Sequence, residues 1–186
     1  FAKENDERLR NESKRLVEEY GIDVKYRLKI GFASEEIIEA ESDASLVIMG
    51  LTGTGKLSEV LIGSVATSTI IKTKKPVLVV PEKAKYTKLS KIVFACDYAS
   101  DLDVNALNAL KEMVKKFDPI VYVVNVRHEE EPIFVDNDVN KKIENKLVNV
   151  QHIYSFPRSE NISEKLNEFI EEHKVNLLVM IPHRYN

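Results

Sequence analysis

Apolar residues recur along this chain in two rhythms. Over residues 6–20, Leu9, Leu16, Val17 and Tyr20 share one face at helical spacing, and Gly21 is placed to end the helix. Residues 23–30 alternate instead, with Val24, Tyr26, Leu28 and Ile30 pointing one way, which predicts a strand. A short helix carrying Ile37 and Ile38 is predicted over 35–42. LVIMG at 46–50 is a continuous apolar run, as a parallel strand covered on both faces requires. A glycine-rich loop follows, then a helix over about 64–73 and the strand PVLVV at 76–80.

After a polar linker at 82–90 the pattern restarts. KIVFACD (91–97) is an apolar strand ending in an acid, and a helix over 102–116 lines up Leu107, Leu110 and Val114. IVYVVNV (120–126) is a second buried strand, and 127–138 is acidic and irregular. A weak helix is predicted over 139–147, and VQHIYSF (150–156) alternates like a strand. Ile162, Leu166, Phe169 and Ile170 make an amphipathic helix over 162–173, with Asn161 placed to cap it and Glu164 three residues on. LLVMIP (177–182) is the last strand. Strands alternating with helices predict β-α units, and so a doubly wound parallel α/β sheet of Rossmann-like form. VKYRLKIG with SEEIIEAESDASLVIMG echoes VQHIYSFP with SEKLNEFIEEHKVNLLVMIP, and Met49 and Met180 stand 131 residues apart at equivalent places. That offset is a domain length, which predicts two tandem repeats rather than a solenoid.

The segment 49–65, MGLTGTGKLSEVLIGSV, carries the candidate chemistry. Glycines let backbone N–H groups turn toward a ligand without Cβ interference. Successive N–H groups and the start of a helix make an anion-binding nest, and Ser64 can donate its hydroxyl to a phosphate oxygen. The loop stands at the carboxyl end of a parallel strand, where open α/β sheets bind their ligands. The competing structural reading is a strand-to-helix turn with Ser64 as cap; it accounts for Ser64 but not for three glycines. A P-loop is the rival motif, since Gly50, Gly55 and Lys56 begin like one. However, Leu57 stands where the magnesium-binding Ser or Thr belongs, Ser58 is one place late, and Gly63-Ser64 would go unexplained.

Gly50, Gly53 and Gly63-Ser64, with two and nine residues between, resemble the nucleotide-binding signature of universal stress proteins. GSVATSTIIKTKKPVLVVP is similar to that family's last helix and strand, and the order of elements follows it over nearly the whole chain. The resemblance implies an adenine nucleotide alpha hydrolase-like sheet of order 3-2-1-4-5. It implies a site for ATP, ADP or AMP, with magnesium as a candidate companion, at Met49, Gly50, Gly53, Thr54, Gly63, Ser64 and Val65. Asp97 matches the acid that ends the family's first strand and contacts the ribose and adenine side. It further implies a cytoplasmic stress-response module that senses nucleotide, with at most slow hydrolysis, and pairs as a homodimer or between domains through strand 76–80. An interaction scaffold that binds no nucleotide is the alternative.

On that pattern residues 1–83 are the C-terminal part of a first domain and 88–186 a second one lacking its final loop, helix and strand. Pro182 stands near where the second loop's first glycine belongs, so a second nucleotide site is not expected. The first repeat holds only strands 3, 4 and 5, which leaves a gap lined by unpaired N–H and C=O groups. The expectation is that the chain is a fragment, or that another segment or subunit fills the gap.

Composition narrows the rest. Net charge is −3, with lysines interspersed among glutamates, which argues against a nucleic-acid partner. No run of 18 apolar residues predicts a membrane-spanning helix, and FAKENDERLR lacks the apolar core of a signal peptide. The single cysteine, Cys96, excludes an intrachain disulfide and fits a reducing compartment. His128, His152, His173 and His183 are too scattered for a metal motif, and the pattern suggests no hydrolytic triad.

Overall fold

The structure, a computed structural model, describes residues 2–51, 63–98, 106–130 and 137–182. Helix α1 (Ala2–Tyr20) ends where Gly21 adopts a φ of +67°, its N–H donating to the Val17 carbonyl at 2.9 Å. That left-handed conformation costs glycine little. Helix α2 (Ala33–Ala40), strand β1 (Val47–Leu51), helix α3 (Ser64–Lys72) and strand β2 (Val77–Pro81) follow. β1 and β2 pair in parallel, with Val47 opposite Val77 and Leu51 opposite Pro81, and α3 makes the crossover between them.

The expected strand at 23–30 does not form. The segment lies against α1, where Ser13 Oγ donates to the Val24 carbonyl at 3.2 Å and Arg10 Nε to Tyr26 Oη at 3.3 Å. Alternation sets which way side chains face, but a strand also needs a ladder partner. Its neighbour in a 3-2-1-4-5 sheet would be strand 2, and no strand among the described residues stands beside it. Ile30 is consequently 90% exposed.

The second half builds a complete core. β3 (Lys91–Ala95), α4 (Leu107–Phe117), β4 (Ile120–Val124), α5 (Asn137–Lys146), β5 (His152–Ser155), α6 (Ile162–His173) and β6 (Leu177–Met180) give a four-stranded parallel sheet of order β5-β4-β3-β6. This is the 3-2-1-4 part of the order that the family resemblance implies. Ile92, Phe94, Val121 and Val123 meet Leu107, Leu110 and Val114 of α4 and Val139 and Ile143 of α5 on one face. Val93 and Val124 meet Leu166 and Phe169 of α6 on the other. Helices on both faces make the sheet doubly wound and explain why its central strands read as unbroken apolar runs.

Candidate functional site

β1 delivers Met49, half-buried, and Gly50, exposed, to its carboxyl end. On the far side of the loop Gly63 is the N-cap of α3, Ser64 its first residue and Val65 its second, and all three are exposed. Gly53 and Thr54 lie outside the described residues, as do the Gly55, Lys56 and Ser58 of the rival motif. Ser64 is therefore not the cap; Gly63 is, and among the described residues no side chain caps the helix. The first N–H groups of α3 have no intrahelical acceptor, so this end carries the partial positive charge that attracts anions.

Neither glycine is required by the packing of the described residues around it. A Cβ built on Gly50 or Gly63 meets no heavy atom of the described chain within 4 Å, and Gly63 has an ordinary φ of −57°.

The opposite end of α3 is anchored. Ala66 and Thr69 are buried, and Thr69 Oγ1 donates to the Val65 carbonyl at 2.8 Å. Glu41, at the end of α2, is itself buried and accepts from Thr73 Oγ1 and, at 3.3 Å, from the Lys74 N–H. Lys75 Nζ donates to the Ser42 carbonyl at 3.2 Å. These bonds tie the C-terminal end of α3 to α2. Glu41 was not singled out from sequence; an acid in a polar stretch gives no sign that its partner is 32 residues away.

Asp97 follows β3 and is exposed, flanked by buried Cys96 and Tyr98. The glycine loop's strand and Asp97 thus stand at carboxyl strand ends, but of two different sheets. Around Asp97 sequence reading missed Asn125 and Arg127, both more than nine-tenths buried. A signal was present: they continue the parity of Val121 and Val123, the inward face of β4, with polar side chains. Arg127 Nε donates to Asn125 Oδ1 at 2.6 Å, Asn125 Nδ2 donates to the Cys96 carbonyl at 2.8 Å, and the Arg127 guanidinium lies 5.4 Å from the Phe156 ring. Burial pushes the Cys96 thiol up to about 11 and raises the Tyr98 phenol as well. Among the described residues no three His, Cys, Asp or Glu side chains gather as a metal set, and no helix is long and apolar enough to cross a membrane.

Parallel sheets wound by helices define an α/β protein of doubly wound, Rossmann-like form. Residues 1–81 match the family described as the universal stress protein family. One universal stress protein of Methanocaldococcus jannaschii is 40% identical over 72 residues, covering 38% of this chain and 44% of its own length. A second from the same organism is 34% identical over 87 residues, covering 46% of this chain and 51% of its own. The chain thus spans about half the length of the curated relatives it matches. The crystal structure of a universal stress protein from Archaeoglobus fulgidus superposes with a TM-score of 0.73 at 20% identity, over 96% of this chain and 66% of that one. At that identity the likeness establishes the fold.

Proposed function

We propose that the chain binds ATP or a related adenine nucleotide, its phosphates held between the carboxyl end of β1 and the first turn of α3. In this reading Met49, Gly50, Gly63, Ser64 and Val65 take part, together with Gly53 and Thr54 of the intervening sequence, and magnesium is a candidate companion of the phosphates. The observation that carries the reading is that, among the described residues, nothing stands where a Cβ on Gly50 or Gly63 would be, beside the start of α3. Glycines at a strand's carboxyl end and at the helix start that follows are what close approach of a phosphate to the backbone needs. In this reading the chain is a nucleotide-sensing stress-response module of two related repeats, with Asp97 as the adenosine-side acid. It hydrolyses ATP slowly at most.

Isothermal titration with ATP is the direct test. Heat of binding that disappears in Gly63→Val, while the variant's circular dichroism and melting stay those of the parent, supports the site. No heat and no thermal shift at millimolar ATP reject it.

A second reading, an interaction scaffold without nucleotide, is favoured by the separation of Asp97 from the loop on two sheets and by β2. That strand ends a two-stranded sheet, and Val80 is exposed on it. Pairing through 76–80, between copies or between repeats, is compatible with either reading. A scaffold keeps its partners in the Gly63→Val variant.

A further inference from the structure

The end of β3 is held by a hydrogen-bond relay that the nucleotide reading does not use. The Cys96 N–H donates to the Val124 carbonyl at 2.9 Å, continuing the ladder to β4. The Cys96 carbonyl is taken by Asn125 Nδ2 at 2.8 Å, and Asn125 Oδ1 accepts from Arg127 Nε at 2.6 Å. A guanidinium only donates, so Arg127 fixes which end of the Asn125 amide is oxygen and leaves its NH₂ group for the carbonyl. The Asn125 backbone N–H is held by the Ser155 carbonyl at 3.0 Å, and that of Arg127 by the Pro157 carbonyl at 3.0 Å.

One residue beyond the exposed Asp97, the chain turns back into the core. Tyr98 has a φ of +57°, a left-handed conformation uncommon for a side chain of that size. Its ring is buried against Phe156, with centroids 6.1 Å apart, and its N–H donates to Cys96 Sγ at 3.4 Å. Asp97 is therefore the one exposed position between two pinned, buried neighbours. Backbone held in a sparsely populated conformation over-determined by its surroundings is characteristic of sites where direction matters.

We infer that Asn125 is a positioning residue for Asp97: through the Cys96 carbonyl, and braced by Arg127, it sets the peptide plane from which the Asp97 carboxylate is presented to a ligand. The inference rests on the nucleotide reading for what the ligand is, but not for the positioning itself. Asn125→Asp is the sharpest variant, because it keeps an acceptor for Arg127 and removes the donor to Cys96. Asn125→Leu removes the donor without adding charge. Tyr98→Phe, which deletes a hydroxyl with no hydrogen-bond partner among the described residues, is the control.

The test is the carboxyl carbon signal of Asp97 in aspartate-labelled protein, assigned by its loss in Asp97→Asn, together with ATP affinity by titration. Both Asn125 variants are expected to move or broaden that signal while Tyr98→Phe leaves it in place. ATP affinity is expected to fall about tenfold in Asn125→Leu, and not to fall further when that change is added to Asp97→Ala. An unmoved Asp97 signal in a folded Asn125 variant overturns the inference. If the parent protein binds no ATP, the nucleotide reading falls and the carboxyl signal alone decides. If neither Asn125 variant folds, the parent's scalar coupling from the Asn125 amide to the Cys96 carbonyl decides; its absence overturns the relay.

Discussion

At the residue scale, the glycines of the loop and the buried acids of the second sheet make opposite demands. Gly63 meets no described atom at its Cβ position and has a helix-entry φ that any residue adopts. Gly63→Ala should therefore change stability by no more than about 1 kcal/mol, the usual difference between glycine and alanine at an N-cap. If the nucleotide reading holds, the same methyl group weakens ATP binding at least tenfold, read by titration beside a urea melt. Cys96, Tyr98 and Tyr154 act through protons. Burial pushes the thiol from 9.0 to about 11 and raises both phenols above their ordinary 10.0. A group raised on folding contributes stability that is whole below its unfolded value and is lost as pH passes its folded value. Urea midpoints should thus hold up to pH 9 and fall from there through about 11 and beyond, and Cys96 should resist alkylation at neutral pH until the chain unfolds. A flat midpoint across that window would contradict the burial. The glycines and Ser64 could be proposed from the sequence because backbone freedom and a hydroxyl belong to the residue itself. Asn125 was not, because its role is a bond to the end of another strand, 29 residues back.

At the scale of elements, periodicity found each helix and each paired strand of the described residues. It failed at 23–30, where Val24, Tyr26, Leu28 and Ile30 alternate but no ladder forms. The alternation reports which side chains want burial; the pairing is a property of two segments and is invisible in one. Capping is more local and was read correctly at Asn161, whose Oδ1 accepts from the Glu164 N–H at 3.1 Å. The reciprocal half of the capping box is replaced: the Asn161 N–H donates to Ser159 Oγ at 3.0 Å rather than to the Glu164 carboxylate. Asn161→Ala should lower stability by about 1 kcal/mol, seen as a lower urea midpoint with unchanged slope. Asn161→Asp should keep the cap, and Glu164→Ala should cost only a few tenths, since its side chain takes no part.

At the scale of the whole molecule, the two sheets differ in how far each is closed. In the four-stranded sheet β3 has ladders on both sides and packed helices on both faces, and Phe94, Ile92, Leu107 and Ile143 are fully buried. In the two-stranded sheet the Val47 N–H and the Leu51 carbonyl bond toward β2. By the alternation of a parallel ladder, the peptide groups of Ile48 and Gly50 then face the other edge. Ile48 is 65% exposed. Hydrogen exchange on the chain should rank accordingly. Amides of Val93, Phe94, Val121 and Val123 should be the slowest, the Met49 amide intermediate, and those of Ile48 and Gly50 fast. Phe94→Ala, which empties the centre of the larger core at about 3–5 kcal/mol, should speed exchange across β3 and β4 while leaving Met49 unchanged. If Ile48 and Gly50 are instead protected, a strand from outside this pair covers the edge. Protection that grows with protein concentration would then identify that strand as belonging to a second copy, and would turn the apolar positions of 23–30 from unpaired alternation into the far border of a shared sheet.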